Sequence, residues 1–321
     1  MLRFFAVLVV LAAIAGGAWF WEQQNWQAAG PSIAYKIVMV KPGDHVATIS
    51  ENLQKKGVIA NANLFRIGLR LRNQQTGLKA GEYGFPARVS MADVTAILIA
   101  GKSIEHKLTA AEGLTSQMIY DIVKKDPVLV GDAGAVPQEG TLLPETYLFT
   151  RGMTRVQMLN KMREAQKKLI AAQWPARIGN LPIKTPQEAI ILASIVEKET
   201  GIPEERRHIA AVFENRLRLG MKLQSDPTII YGITKGYPIG RRIRQSEIDA
   251  QTPYNTYAIP GLPVGPICNP GKDAILAVLN PAGSDDLYFV ADGTGGHVFA
   301  QTMAEHEKNV ANWRKIHAAQ H

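Results

Sequence analysis

"TPQEAIILASIVEKETG", residues 185–201, decides how the rest of the chain is read. Thr185 suits a helix cap, Pro186 the first helical position, and Glu188 completes a capping-box pattern. Gly201 stands at the natural stop, with Pro203 beyond it. At about 100° per residue, Ile190, Ile191, Leu192, Ala193, Ile195 and Val196 run around the whole circumference. A helix that is apolar all round is a buried one, yet this one ends in two carboxylates, Glu197 and Glu199. A carboxyl in a dry setting resists ionisation, so its pKa rises and it can hold a proton near neutral pH and donate it. Pairing with Lys198, Arg206 or Arg207 is the structural alternative for both. Ala193 and Ser194 beside Glu197 leave room for a ligand, whereas Leu192, Ile195 and Val196 beside Glu199 predict packing.

Downstream, "PEERRHIAAVFENRLRLGMKL" (203–223) predicts a second helix that Pro203 starts and Gly220 stops. Gln224, Asp226 and Pro227 follow as a polar turn into a short helix. "TPYNTYAIPGLPVGPICNPG" (252–271) holds five prolines, so this long loop is stiff, and long ordered loops are usually functional. Within it Tyr254, Asn255, Thr256 and Tyr257 combine aromatic faces with hydrogen-bonding groups, a mixture that suits a sugar ring or a structural anchor for the loop. Tyr288–Ala291 and His297–Ala300 predict a hairpin about a Gly-rich turn, and Thr302 with Glu305 a capping box for a last helix.

Upstream, "YKIVMV" predicts a strand, and residues 44–59, 61–73 and 90–101 predict helices, with Asp44 as cap of the first and "GEYGF" as another strand. "KPGDHVATISENLQKKGV" and "AEGLTSQMIYDIVKKDPV" echo each other at an offset of 70 residues, matching Gly43 with Gly113, Ile49 with Ile119 and Lys55 with Lys125. The first copy resembles a LysM module, a small glycan-binding unit; a generic strand–turn–helix reads equally well. A basic helix, "TRVQMLNKMREAQKKLIAAQW", leads to a linker before Thr185.

The first segment bears on location. "FFAVLVVLAAIAGGAWFW" (4–21) has no charge in 18 residues and as a helix would rise about 27 Å, close to a bilayer's hydrocarbon thickness. Arg3 precedes it and no Lys or Arg follows until Lys36, so the positive-inside rule puts the first residues in the cytoplasm and the rest outside. Trp19, Trp21 and Trp26 suit an interfacial belt. Ala13-Ile14-Ala15 fits a signal-peptide cleavage pattern, but the apolar run continues through Trp19-Phe20-Trp21, which suits an uncleaved anchor.

The 321 residues allow two or three domains, and the composition, 46% hydrophobic and 20% charged, is that of a globular protein. The single Cys268 excludes an internal disulfide and a Cys-based metal site. A net charge of +8 suits a polyanionic partner or, since the basic residues are scattered rather than clustered, solubility alone. There is no Ser-x-x-Lys, Gly-x-Ser-x-Gly, His-Glu-x-x-His or P-loop pattern.

"LASIVEKETG", "VFENRLRLGMKLQSDPTIIYG", "TPYNTYAIPGLPVGPICNPG" and "LYFVADGTGGHVF", in that order, resemble the endolytic murein transglycosylases of the YceG-like family. "EGTLLPETY" (139–147), containing Glu145, resembles a further block of that family, though its residues before the proline are less bulky than usual. With the residues read above, the resemblance gives an α+β fold: cytoplasmic tip 1–3, transmembrane helix 4–21 and tether 22–35, as the apolar run and charges predict, then a small LysM-like subdomain over 36–105 and a larger mixed α/β catalytic domain over 106–321. It implies cleavage of nascent peptidoglycan between N-acetylmuramic acid and N-acetylglucosamine, leaving 1,6-anhydromuramic ends. It places the catalytic glutamate on Glu197, acting as acid and then base, and lines the cleft with Gln224, Asp226, Tyr254, Asn255, Thr256 and Tyr257, together with Ser194 and Glu145. No cofactor or metal is implied. The expected partners are glycan strands, the bacterial inner membrane and peptidoglycan synthases, with no nucleic acid and with the catalytic domain periplasmic.

Overall fold

A computed structural model describes residues 2–320, and the chain divides into two compact units. Unit 1 holds residues up to His106 plus Leu148–Gly152; unit 2 holds Lys107–Tyr147 and everything from Met153 on.

Unit 1 begins with α1 (Leu2–Gln27), whose stretch from Phe4 is long and apolar enough to cross a membrane and is exposed from Phe4 to Trp21. The sequence places a tether from residue 22, but α1 runs on to Gln27 and its last turn is packed. Trp26 stacks on Phe65 at 5.7 Å, lies under the Arg72 guanidinium at 4.2 Å, and Arg72 pairs with the buried Glu22 at 2.8 Å. Gly68 is required there, because a Cβ would lie 2.3 Å from the Trp26 ring.

β1 (Lys36–Val40), α2 (Val46–Lys55), α3 (Ala62–Leu71), β2 (Gly81–Phe85) and α4 (Met91–Ala100) complete this unit. β1 and β2 pair antiparallel with Lys36 opposite Phe85 and Val40 opposite Gly81. Val38, Val40, Tyr83 and Phe85 face Ile49, Leu53, Phe65, Leu69, Val94 and Leu98 in one core. Asn61 and Ser90 cap α3 and α4 through their side chains. Asp44 does not cap α2; its carboxylate accepts from Lys41 N at 2.8 Å and closes the preceding turn, leaving His45 at the cap position.

β3 (Glu105–Thr109) and β4 (Thr146–Thr150) form a second two-stranded sheet. α5 (Ser116–Lys125) comes between them in the chain, and the 70-residue echo is visible in the structure. α2 and α5 occupy equivalent ten-residue spans, and Gly43 and Gly113 both hold positive φ in the turn before the helix.

Unit 2 continues with α6 (Arg155–Gln173), α7 (Pro186–Glu199), α8 (Arg206–Arg218), α9 (Asp226–Thr234), α10 (Gln245–Ile248), α11 (Lys272–Leu279), the antiparallel hairpin β5 (Tyr288–Ala291) and β6 (His297–Ala300), and α12 (Met303–Gln320). Every residue of α7 from Ala189 to Val196 is buried, as its all-round apolar pattern predicts, and α8, α9 and α11 pack on it. α11 adds Ala274, Ile275, Val278 and Leu279 to that core. It is a helix the sequence reading passed over, because its eight residues follow a proline-rich loop without a side-chain cap.

Candidate functional site

Thr185 caps α7 as its sequence predicts, accepting from Glu188 N at 3.1 Å. The reciprocal half of the capping box is shifted by one residue, since the Glu188 carboxylate takes the N–H of Lys184. The helix therefore starts firmly and carries Glu197 and Glu199 at its other end, where their surroundings diverge.

Glu197 is closed in. Its Oε2 accepts from Gly271 N at 2.9 Å, at the start of α11, and its Oε1 lies 3.8 Å from Arg206. Arg206 also faces Glu112 and Asp273, each at 3.6 Å. Burial pushes the Glu197 carboxyl above its usual range, and the Glu112 charge adds to this against the Gly271 N–H and Arg206. The room expected beside Ala193 and Ser194 is filled by the proline-rich loop. Ser194 is fully buried, donates to Ile191 O at 2.7 Å and accepts from Ile267 N at 3.0 Å.

Glu199, two residues on, opens onto a groove of about 410 Å³ that Arg216, Gln224, Asp226, Tyr257 and His306 also line. The helix stops at Thr200, and Leu192, Ile195 and Val196, beside Glu199 in the helical projection, are buried in the core. Ser225 donates its hydroxyl to Glu199 Oε1. Burial pushes the Glu199 carboxyl up to about 7; the Ser225 bond, His297 and Arg216 pull it down, and Asp226 pushes it up. Near neutral pH the group is divided between its acid and its carboxylate, the state needed to give and take a proton in one cycle.

The other sequence candidates separate into two groups. Gln224, in the left-handed region at φ 52°, and Asp226, the first residue of α9, line the groove, and Tyr257 donates to Asp226 Oδ1 at 2.7 Å. Asn255 and Thr256 are buried and used up. The Asn255 amide donates to the carbonyls of Glu247, Ile248 and Ala250, while its Oδ1 accepts from Tyr257 N at 3.0 Å. Thr256 Oγ1 accepts from Ser225 N at 2.9 Å and bonds Thr228 at 2.9 Å. These two hold the turn that presents Gln224, Ser225 and Tyr257. Tyr254 packs on Tyr231, with ring centroids 4.9 Å apart and planes tilted by 58°, and does not line the groove. Glu145 is exposed and folds back to accept from Thr146 N at 3.0 Å.

Sequence reasoning missed Ser225, Arg216 and Glu139. Arg216 is buried and spends its donors on Leu287 O and Leu223 O, each at 2.7 Å, so a cation stands fixed at the groove wall. Glu139 is pushed up by burial and receives Ser116 N at 2.7 Å, Asn269 at 3.1 Å and Tyr231 at 3.1 Å. Its side-chain partners Ser116, Asn269 and Tyr231 lie more than twenty residues away in the chain, so the sequence signal for it is its place at the head of the family-like block "EGTLLPETY". Among the described residues, no cluster of three His, Cys, Asp or Glu could hold a metal ion.

Comparison with known proteins adds an independent line. The profile of the YceG-like family matches residues 38–312. The chain is 32% identical to an endolytic murein transglycosylase of Streptococcus pneumoniae serotype 2, over 95% of this chain and 64% of that protein. It is 34% identical to one of Bacillus subtilis, over 54% of this chain and 47% of that protein. It thus spans less than two thirds of the length of either relative. A crystal structure of a yceG-like protein from Listeria monocytogenes superposes with a TM-score of 0.52 at 30% identity, covering 86% of this chain and 99% of that one.

Proposed function

The chain belongs to the YceG-like family, and on that premise we propose that it is a membrane-anchored endolytic murein transglycosylase that cleaves peptidoglycan strands with Glu199 as its acid and base. The observation that carries this reading is the Glu199 carboxyl, poised at about 7 in a groove with Gln224, Asp226 and Tyr257. Glu197, on which the family resemblance places the catalytic role, accepts from Gly271 N, lies 3.8 Å from Arg206 and is not among the residues lining this groove.

In the proposed reaction Glu199 protonates the oxygen between N-acetylmuramic acid and N-acetylglucosamine. The C1–O bond breaks, and the N-acetyl group helps to bear the charge at C1. The Glu199 carboxylate then takes the proton of the muramoyl C6 hydroxyl, which bonds to C1 and closes a 1,6-anhydro ring. One carboxyl suffices because the attacking oxygen belongs to the substrate, unlike in two-carboxylate glycosidases. Ser225 steadies the ionised form between the two steps, and Gln224 and Tyr257 offer polar atoms to the sugar. Asp226 supports a second reading, because a second carboxylate in the groove could activate water and give reducing ends instead.

Location and organisation belong to the same proposal. α1 anchors the chain in the bacterial inner membrane with its N-terminus cytoplasmic and unit 2 periplasmic. Residues 36–105 serve as a LysM-like glycan-binding subdomain, residues 106–321 form the catalytic part, and peptidoglycan synthases are partners. A non-catalytic peptidoglycan scaffold is the competing function.

The test is digestion of purified sacculi by the full chain in detergent, with products read by mass spectrometry. Anhydro ends that vanish with Glu199→Gln and persist with Glu197→Gln are expected. Loss with Glu197→Gln alone returns the chemistry to that residue. Reducing ends make the enzyme a hydrolase, and no cleavage by the unaltered protein leaves the scaffold.

A further inference from the structure

α6 is basic and, so far, without a task. It carries Arg155, Lys161, Arg163, Lys167 and Lys168 against the single carboxylate of Glu164. Arg163 and Lys167 face a cavity of about 540 Å³, larger than the groove at Glu199, between α6, the N-terminal half of α7 and the loop 135–141. Gln187 and Ile190 in its wall lie nine to twelve residues before Glu199, about 14–18 Å along α7 at 1.5 Å per residue. The two spaces share a helix but no lining residue.

The lining specifies a ligand. Arg163 gives one guanidinium nitrogen to Asn160 at 2.6 Å, which leaves donors on the fork for a carboxylate. Lys167 meets Glu164 at 2.9 Å in an exposed pair, the kind that is weakly held and readily exchanged. Between these cations Gln166 is only 4% exposed; its Nε2 donates to Gly140 O at 3.3 Å, while its Oε1 accepts from nothing. A buried carbonyl oxygen without a donor is costly, and a small side-chain rotation toward an incoming N–H removes that cost. Val136, Pro137, Ile170 and Ile190 supply apolar walls. Among the described residues no aromatic ring lines the cavity, so it lacks the flat faces on which sugar rings or bases lie. An anion, an N–H donor and small apolar groups within one ligand describe a short acidic peptide.

The site is also preformed. Gly140 holds φ 74° where a Cβ would strike Pro266 and Ile190, and the neighbouring Glu139 is tied by three segments. The loop therefore keeps its shape without a ligand, which lowers the ordering cost of binding.

We infer that this cavity binds the short carboxylate-bearing peptides that branch from the glycan strand, so that the protein engages a strand at its peptide as well as at its sugars. The inference rests on the peptidoglycan reading above, and the experiment separates the two.

The probe is the free tetrapeptide L-alanyl-γ-D-glutamyl-meso-diaminopimelyl-D-alanine, titrated into the detergent-solubilised full chain. Saturable binding is expected, weakened at least tenfold by Arg163→Glu and by amidation of the peptide's carboxylates, and unchanged by Glu199→Gln. Gln166→Leu should weaken it as well, with thermal unfolding confirming that each variant is folded. No saturable binding at millimolar peptide, or equal binding by Arg163→Glu, overturns the inference. Digestion of peptide-stripped glycan strands then tests the parent reading: Glu199-dependent cleavage of those strands leaves the transglycosylase standing whatever the peptide does.

Discussion

Ser225 gives its hydroxyl hydrogen to Oε1 of Glu199, joining the end of α7 to the turn that opens α9. Burial favours the neutral acid and this bond favours the carboxylate, and their opposition leaves the group at about 7. Ser225→Ala removes the second influence. The carboxyl then titrates higher, and the alkaline limb of the pH–rate profile should move to higher pH with the acid step preserved. A profile that stays in place would show that Ser225 does not touch the working carboxylate.

Glu199→Gln should reduce strand cleavage by roughly 10²–10⁴-fold, the usual contribution of a positioned proton donor. Glu197→Ala has a different signature. It strips the acceptor from Gly271 N and from Arg206, so the thermal midpoint should fall, at a cost of about 1–3 kcal/mol. Calorimetry alongside the cleavage assay distinguishes the two.

Stability should decline as pH rises through neutrality. Burial also pushes Glu214 up to about 8, with Arg218 opposing, and its Oε1 has no hydrogen-bond partner. Both carboxyls sit above the ordinary 4.5 of an unfolded chain. The folded state therefore holds more protons between 4.5 and about 7 to 8, and by linkage the stability present below 4.5 is lost as pH climbs through the folded values. Glu214→Gln should flatten this decline in thermal melts and raise the midpoint at pH 9, where the parent must bury a charge.

Asn269 joins three segments. Its Oδ1 accepts from Leu142 N at 2.9 Å, and its amide donates to Leu114 O at 3.2 Å and Glu139 Oε1 at 3.1 Å. Asn269→Ala should cost ~2–4 kcal/mol in denaturant unfolding, more than one hydrogen bond is worth, because buried partners are left unpaired.

Gly68→Ala places a methyl group 2.3 Å from the Trp26 ring and 2.9 Å from the Glu22 carboxylate. Unit 1 should lose about 1–3 kcal/mol, the usual cost of overpacking, and Trp26 fluorescence should report its displacement.

What could be read in advance follows from locality. Caps, turns and faces are written within a few neighbours, so α7, the hairpin and the apolar α1 stand out in the residues themselves. The surroundings of Glu197 and Glu199 are not set locally. Small neighbours at Ala193 and Ser194 suggested open space, but Ile267 and Cys268, more than seventy residues on, come back to fill it. Asn255 and Thr256 have the composition of a sugar-binding loop, yet their atoms are spent on Glu247, Ile248, Ala250, Ser225 and Thr228. Composition names the hydrogen-bonding capacity, and only the fold says where it goes. α1 shows the same limit: Glu22 and the polar residues after it signal the end of a membrane run, not that Trp26 will be clasped by Phe65 and Arg72.

That clasp ties the last turn of α1 to the core of unit 1, so with α1 in a bilayer, as proposed, helix and unit lean together. Membrane helices tilt by about 20° on average, and by an amount that depends on how their length matches the bilayer. On that proposal, a lean of this size carries any point on unit 1 sideways by roughly a third of its height above the lipid. Bilayer thickness would then be a steering variable for where the first unit reaches over the proposed membrane surface.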